Sequence, residues 1–106
     1  MTLNPSMKTL ILRNNNFHSV DASMNFYQEL ELVDLSSNHL VFIPDRAFSN
    51  QRRLVELRIN SNKISELSEK TFSGLGKLQF LNLGENLIES IPNKAVRIKI
   101  GKQMNK

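Results

Sequence analysis

Asp34, Ser36 and His39 carry, within one short stretch, the carboxylate, hydroxyl and imidazole from which a nucleophilic triad is built. That chemistry needs the imidazole between the other two groups at hydrogen-bond distance, taking the hydroxyl proton while the carboxylate orients the ring. Asp34 and Ser36 are successive outward residues of one extended run, and His39 lies past the turn that follows, so the spacing does not assemble a triad. His18 is the one other histidine and there is no cysteine, which leaves no constellation for a metal. Ser73-Gly74-Leu75-Gly76-Lys77 sets glycines beside a lysine but lacks the spacing of a phosphate-binding loop. Catalysis is not expected, and no cofactor is implied. What remains is recognition, and the elements that would present it are readable.

The stretch Leu54-Val55-Glu56-Leu57-Arg58-Ile59-Asn60-Ser61-Asn62-Lys63-Ile64 has apolar residues at its first, fourth, sixth and eleventh places and an asparagine at the ninth. This is neither a helical period nor a plain alternating strand. Three more copies occur: Met7, Leu10, Leu12, Asn15, Phe17; Leu30, Val33, Leu35, Asn38, Leu40; and Leu78, Leu81, Leu83, Asn86, Ile88. The asparagines are 23, 24 and 24 residues apart, and every apolar place in the four copies is filled by an apolar residue. The second half of the period repeats too. Val20, Ile43, Leu67 and Ile91 lie three residues past the eleventh place, proline follows in two copies (Pro44, Pro92), and Met24, Phe48, Phe72 and Val96 mark a further apolar place.

This pattern resembles the leucine-rich repeat, L-x-x-L-x-L-x-x-N-x-L. With the trailing Leu-Pro and Phe places, it is most similar to the 24-residue class found in extracellular and cell-surface members of that family. The resemblance implies an α/β solenoid with a right-handed coil, a short parallel sheet on the concave side and an irregular or short-helical convex side. Four repeats are expected, at 7–29, 30–53, 54–77 and 78–92 onward. Residues 1–6 stand where a preceding partial repeat would end, with Leu3 near a core place, and 93–106 form a basic tail. The chain therefore reads as beginning within an array, with the first-repeat residues Leu10, Leu12 and Phe17 partly exposed.

Alternation along a strand turns the fourth and sixth places inward and the third, fifth and seventh outward. The outward columns are then Thr9, Leu32, Glu56, Phe80; Ile11, Asp34, Arg58, Asn82; and Arg13, Ser36, Asn60, Gly84. Ile11, Leu32 and Phe80 are large apolar groups aimed at solvent beside charges, a combination that often marks a protein contact. Asp34 and Arg58 occupy one place in adjacent strands and can form a solvated pair across the sheet. The candidate partner-binding set is Ile11, Arg13, Leu32, Asp34, Glu56, Arg58, Phe80 and Asn82. The family resemblance points to the same concave face and to a protein ligand. Asn15, Asn38, Asn62 and Asn86 have a structural task instead: each amide can satisfy backbone groups of its own coil and the neighbouring one where the chain leaves the strand. Asp45–Ser49 and Ser68–Ser73 are each expected to make a short helical turn, with Met24, Phe48, Phe72 and Val96 stacked behind the leucines.

The net charge of +4 suggests nucleic acid until it is located. Lys94, Arg97, Lys99, Lys102 and Lys106 place five positive charges in the tail, leaving nine basic against ten acidic residues elsewhere. The repeats are near neutral and the tail has no interleaved aromatics for stacking bases, so nucleic acid is not an expected partner. No run approaches the roughly 18 apolar residues of a membrane span, and Met1-Thr2-Leu3-Asn4-Pro5-Ser6 lacks the apolar core of a signal peptide. Membrane insertion and conventional export are not expected of the chain as written. The resemblance favours the cell surface or the extracellular space; the missing leader leaves the cytoplasm open.

Three functional readings follow. The first is a module that binds a protein through its concave strands. The second is a structural segment or truncated product of a longer receptor-like array, with self-association through uncapped ends. The third is an intracellular scaffold, which fits the Leu-Pro and Phe spacing less well. The stretch from Val96 to Lys106 departs from the pattern, either as a polar terminus or as intron read-through at a Val-Arg splice-donor sequence.

Overall fold

The computed structural model describes residues 4–20 and 22–90. Leu3, Val96 and the basic tail lie outside the described residues. Four short parallel strands form one sheet in chain order: β1 (Thr9–Ile11), β2 (Leu32–Asp34), β3 (Glu56–Arg58) and β4 (Phe80–Asn82). The register is even from strand to strand, with Thr9, Leu32, Glu56 and Phe80 aligned and Ile11, Asp34, Arg58 and Asn82 aligned. Connections that return to the neighbouring strand in the same direction must cross behind the sheet, and here each crossing is one coil of a solenoid. The fold is the leucine-rich-repeat solenoid.

The strands are short because the chain turns soon after each of them. Asn14, Ser37, Ser61 and Glu85, the residues just before the four period asparagines, have φ of 60°, 56°, 57° and 55°. Left-handed backbone at non-glycine residues is costly, so each corner needs support from its neighbours. That support is visible. Asn14, Ser37 and Ser61 donate their backbone N–H to the carbonyls of Ser36, Asn60 and Gly84 in the next coil, at 3.1, 3.0 and 2.7 Å.

The asparagines complete the corner. Asn62 Nδ2 donates to the carbonyls of Ile59 and Asn60 in its own coil and of Leu35 in the preceding one, while its Oδ1 accepts the N–H groups of Asn38 and Leu40. Asn38 repeats this one coil earlier, bonding Leu12, Leu35 and Ser36 and accepting from Asn15 and Phe17. Asn86 reaches Ile59, Leu83 and Gly84 and accepts from Ile64. Asn15 is exposed and, among the described residues, donates within its own coil, to Leu12 and Arg13.

The core runs along the solenoid as two rows. Val33, Leu35, Leu57, Ile59, Leu81 and Leu83 are buried behind the strands, and Met24, Phe48 and Phe72 are buried behind them. Leu10 and Leu12 only pack partly against this core, and Phe17 is exposed. Among the described residues no coil lies in front of the first, so its apolar groups have neighbours on one side only.

The convex side differs from the helical turns expected there. Asp45–Ser49 and Ser68–Ser73 form successive i to i+3 turns, in which Ala47 donates to Pro44, Ser49 to Arg46 and Ser73 to Lys70. A 3-10 helix appears instead at Ala22–Phe26 in the first coil. With about ten residues to cross the back of the coil and apolar side chains to bury at fixed points, tight turns reach each point where a longer helix would overshoot. Gln51 was not anticipated. It occupies the place that Leu75 fills in the next coil, is fully buried, and donates from Nε2 to the carbonyls of Met24 and Tyr27 at 2.8 and 3.3 Å, so it ties the 3-10 helix to the second coil.

Candidate concave binding site

The sheet presents its outward residues on the concave side, and the position of each strand decides how exposed they are. Ile11 on β1 and Phe80 on β4 are 52% and 40% exposed. Among the described residues each lies on an edge strand, with a paired strand on one side. Leu32 has strands on both sides, paired in register with Thr9 and Glu56, and is half-buried rather than exposed as the alternation predicts. The apolar part of the site is therefore two separated groups, not a stripe of three.

Charge is also arranged differently from the expected solvated pair. Asp34 is 1% exposed. Its Oδ1 accepts the Ser36 N–H at 3.0 Å and the Ser36 hydroxyl at 2.6 Å. Its Oδ2 faces two guanidinium groups, with Arg13 at 3.7 Å and Arg58 at 3.8 Å. A carboxylate can stay ionised out of water when it is paired and hydrogen-bonded in this way. Arg58 Nε donates in turn to Glu56, so Arg13, Asp34, Arg58 and Glu56 form one chain of alternating charge across β1, β2 and β3. Asn82 shares the local geometry of Asp34 at the end of β4, its Oδ1 accepting the Gly84 N–H at 2.9 Å.

A hollow of about 540 Å³ opens over this network, with Arg13 and Asp34 on one side, Glu56, Arg58 and Asn60 along the floor, and Phe80 and Asn82 on the other side. All of the outward candidates except Ile11 and Leu32 line it. It is lined by two guanidinium groups, two carboxylates, the Ser36 hydroxyl, two amides and one ring. The three residues with triad chemistry are separated: Ser36 is bonded directly to Asp34, while the His39 ring stacks on His18 at 5.4 Å and its Nε2 lies 3.3 Å from Asn16 Oδ1. Among the described residues no group of three potential metal ligands converges, and no helix is long and apolar enough to cross a membrane. Exposed apolar residues also occur elsewhere, at Phe26 at the end of the 3-10 helix and at Val41, Phe42 and Leu87 on the flank beyond the asparagines.

Comparison with known proteins agrees with this architecture. A family model described as leucine rich repeat matches residues 5–64 and 28–88 in two overlapping placements. Among solved structures, a TLR13–ssRNA13 complex superposes with a TM-score of 0.81 at 30% identity, over 95% of this chain and 15% of that one. The internalin InlF of Listeria monocytogenes str. 4b F2365 gives 0.67 at 27% identity, over 80% of this chain and 24% of that one. Internalin C2 of the same strain gives 0.71 at 21% identity, over 89% and 40%, and at that identity speaks for the fold alone. The chain thus spans less than half the length of each of these proteins. With the strand register, the asparagine bonds and the family match in agreement, this chain belongs to the leucine-rich-repeat family.

Proposed function

We propose that the chain is a protein-interaction module without catalytic activity, and that it contacts its partner through the concave face of β1–β4. Membership of the family supports interaction in general. The observation that carries the concave assignment is the hollow itself, which brings the exposed Phe80 ring on one side together with the guanidinium groups of Arg58 on the floor and Arg13 on the far side. Aromatic and arginine side chains are among the residues that dominate binding energy at protein interfaces. Four strands give less than the roughly 800 Å² per partner of a standard interface, so a single copy should bind weakly unless loops contribute. The Leu-Pro and Phe spacing supports a place at the cell surface or outside the cell.

The test is a binding screen against displayed protein ectodomains, with each hit measured again on two variants. Asn60→Trp fills the floor of the hollow, and Glu69→Trp puts the same bulk on the exposed convex side. The concave assignment expects hits to be lost with Asn60→Trp and kept with Glu69→Trp. Hits indifferent to both contradict it.

A second reading is favoured by the first coil. Leu10 and Leu12 are only partly buried where Val33, Leu35, Leu57 and Ile59 are buried, and among the described residues no strand pairs with the outer edge of β1. An open strand edge beside incompletely covered leucines is a template for another coil, supplied by a longer array or by a second copy. Light scattering over a range of concentrations tests the second copy. Association that Thr9→Lys suppresses supports pairing at this edge, and a monomer at every concentration contradicts it.

A further inference from the structure

We infer that the concave hollow recognises a carboxylate on an extended protein segment that carries an apolar side chain two or three residues away. This rests on the concave assignment made above and specifies the chemistry of the partner there.

The formal charge of the hollow is balanced, with Arg13 and Arg58 against Asp34 and Glu56. Burial breaks that balance. Asp34 is 1% exposed, whereas the side chains of Arg13 and Arg58 are 55% and 42% exposed, and Glu56 is 27% exposed. A ligand therefore meets two guanidinium groups and little of the carboxylate that holds them. Neither guanidinium is spent on Asp34: at 3.7 and 3.8 Å the contacts are ionic rather than hydrogen bonds, and Asp34 Oδ1 is already occupied by Ser36. Each fork retains N–H donors with the planar geometry that matches a carboxylate. Since both lie close to one oxygen, a single incoming carboxylate can engage both.

The apolar requirement comes from Phe80. It is aligned with Glu56 on the adjacent strand, so its ring stands one strand over from Arg58 and two residues back along the sheet. That offset is about 8 Å, which an extended segment covers in two to three residues. Glu56 argues against a polyanion. It sits bonded to Arg58 on the floor of the hollow, where it would oppose a phosphate or phosphodiester run more strongly than a single negative charge. One ring also offers no platform for successive bases.

A random dodecapeptide library displayed on phage, panned against the full chain, tests the inference. The enriched peptides are synthesised and titrated against wild type, Arg13→Ala, Arg13→Lys and Phe80→Ala, each checked by circular dichroism for an unchanged melting curve. The expected consensus places Asp or Glu two or three residues from Phe, Tyr, Leu or Ile. Affinity should fall about tenfold or more in Arg13→Ala and Phe80→Ala, less in Arg13→Lys, and should weaken with salt. Enriched peptides without an acidic residue that still depend on Phe80 would overturn this inference while leaving the concave assignment standing. Peptides indifferent to all three variants, or no enrichment, would overturn both. Mixed-sequence single-stranded RNA that displaces the peptides and binds more tightly at Arg13 would overturn the assignment to a protein segment.

Discussion

Asn62 shows what one side chain does in this molecule: it serves five backbone groups in two coils, and most of them are out of reach of water. Leaving a buried backbone group unpaired costs about 1 to 3 kcal/mol. Asn62→Leu should therefore lower stability by about 3 kcal/mol or more in urea denaturation, or prevent folding. Asn15→Leu should cost under about 1 kcal/mol, because its carbonyl partners are exposed and water replaces the amide. Equal losses would mean that the amides do not carry the coil-to-coil bonding. Asp34→Ala should cost about 1 to 3 kcal/mol for a related reason, since both Ser36 donors lose their acceptor. The position of Asp34 was legible as outward on a strand; its burial was not. Alternation assigns a side chain to a face, but whether two arginines from adjacent strands fold over it depends on long side chains whose paths no spacing encodes. Gln51 was hidden in the same way, as a polar residue at a place where the pattern asks for leucine.

At the scale of elements, the sequence period showed where the strands begin and how they align, because burial on one face demands residues two apart. The corners were not legible. Of Asn14, Ser37, Ser61 and Glu85 only the asparagine has a marked tolerance for left-handed backbone, and what holds Ser37 and Ser61 there is bonding to the next coil. Ser37→Gly should therefore stabilise the fold by up to about 1 kcal/mol, and Ser37→Val should destabilise it by about 1 to 2 kcal/mol. The opposite order of melting temperatures would contradict the account of the corners. Gly74 is the complementary case on the convex side. Its φ is 93°, and a Cβ there would lie 3.1 Å from Ser49 Cα and 3.3 Å from Ser49 Cβ. Gly74→Ala should cost about 1 to 2 kcal/mol, whereas Gly76→Ala, with open space around it, should be neutral or slightly stabilising.

At the scale of the whole molecule, a solenoid has no single centre, and stability is a sum over coils and their interfaces. Among the described residues the middle coils have neighbours on both sides and the first does not. Leu57→Ala should cost about 2 to 5 kcal/mol, and Leu10→Ala less than half of that, because Leu10 is already partly exposed. Function belongs to this scale as well, since the hollow exists only because four coils set their strands side by side. The measurement that tests this most directly is nuclear magnetic resonance mapping of the labelled chain titrated with a selected peptide. Binding through the concave face predicts that the amide signals of 32–36, 56–60 and 80–84 shift together, while those of 45–49 and 68–73 on the convex turns stay in place. Shifts centred on the convex turns, with the strands unmoved, would contradict it.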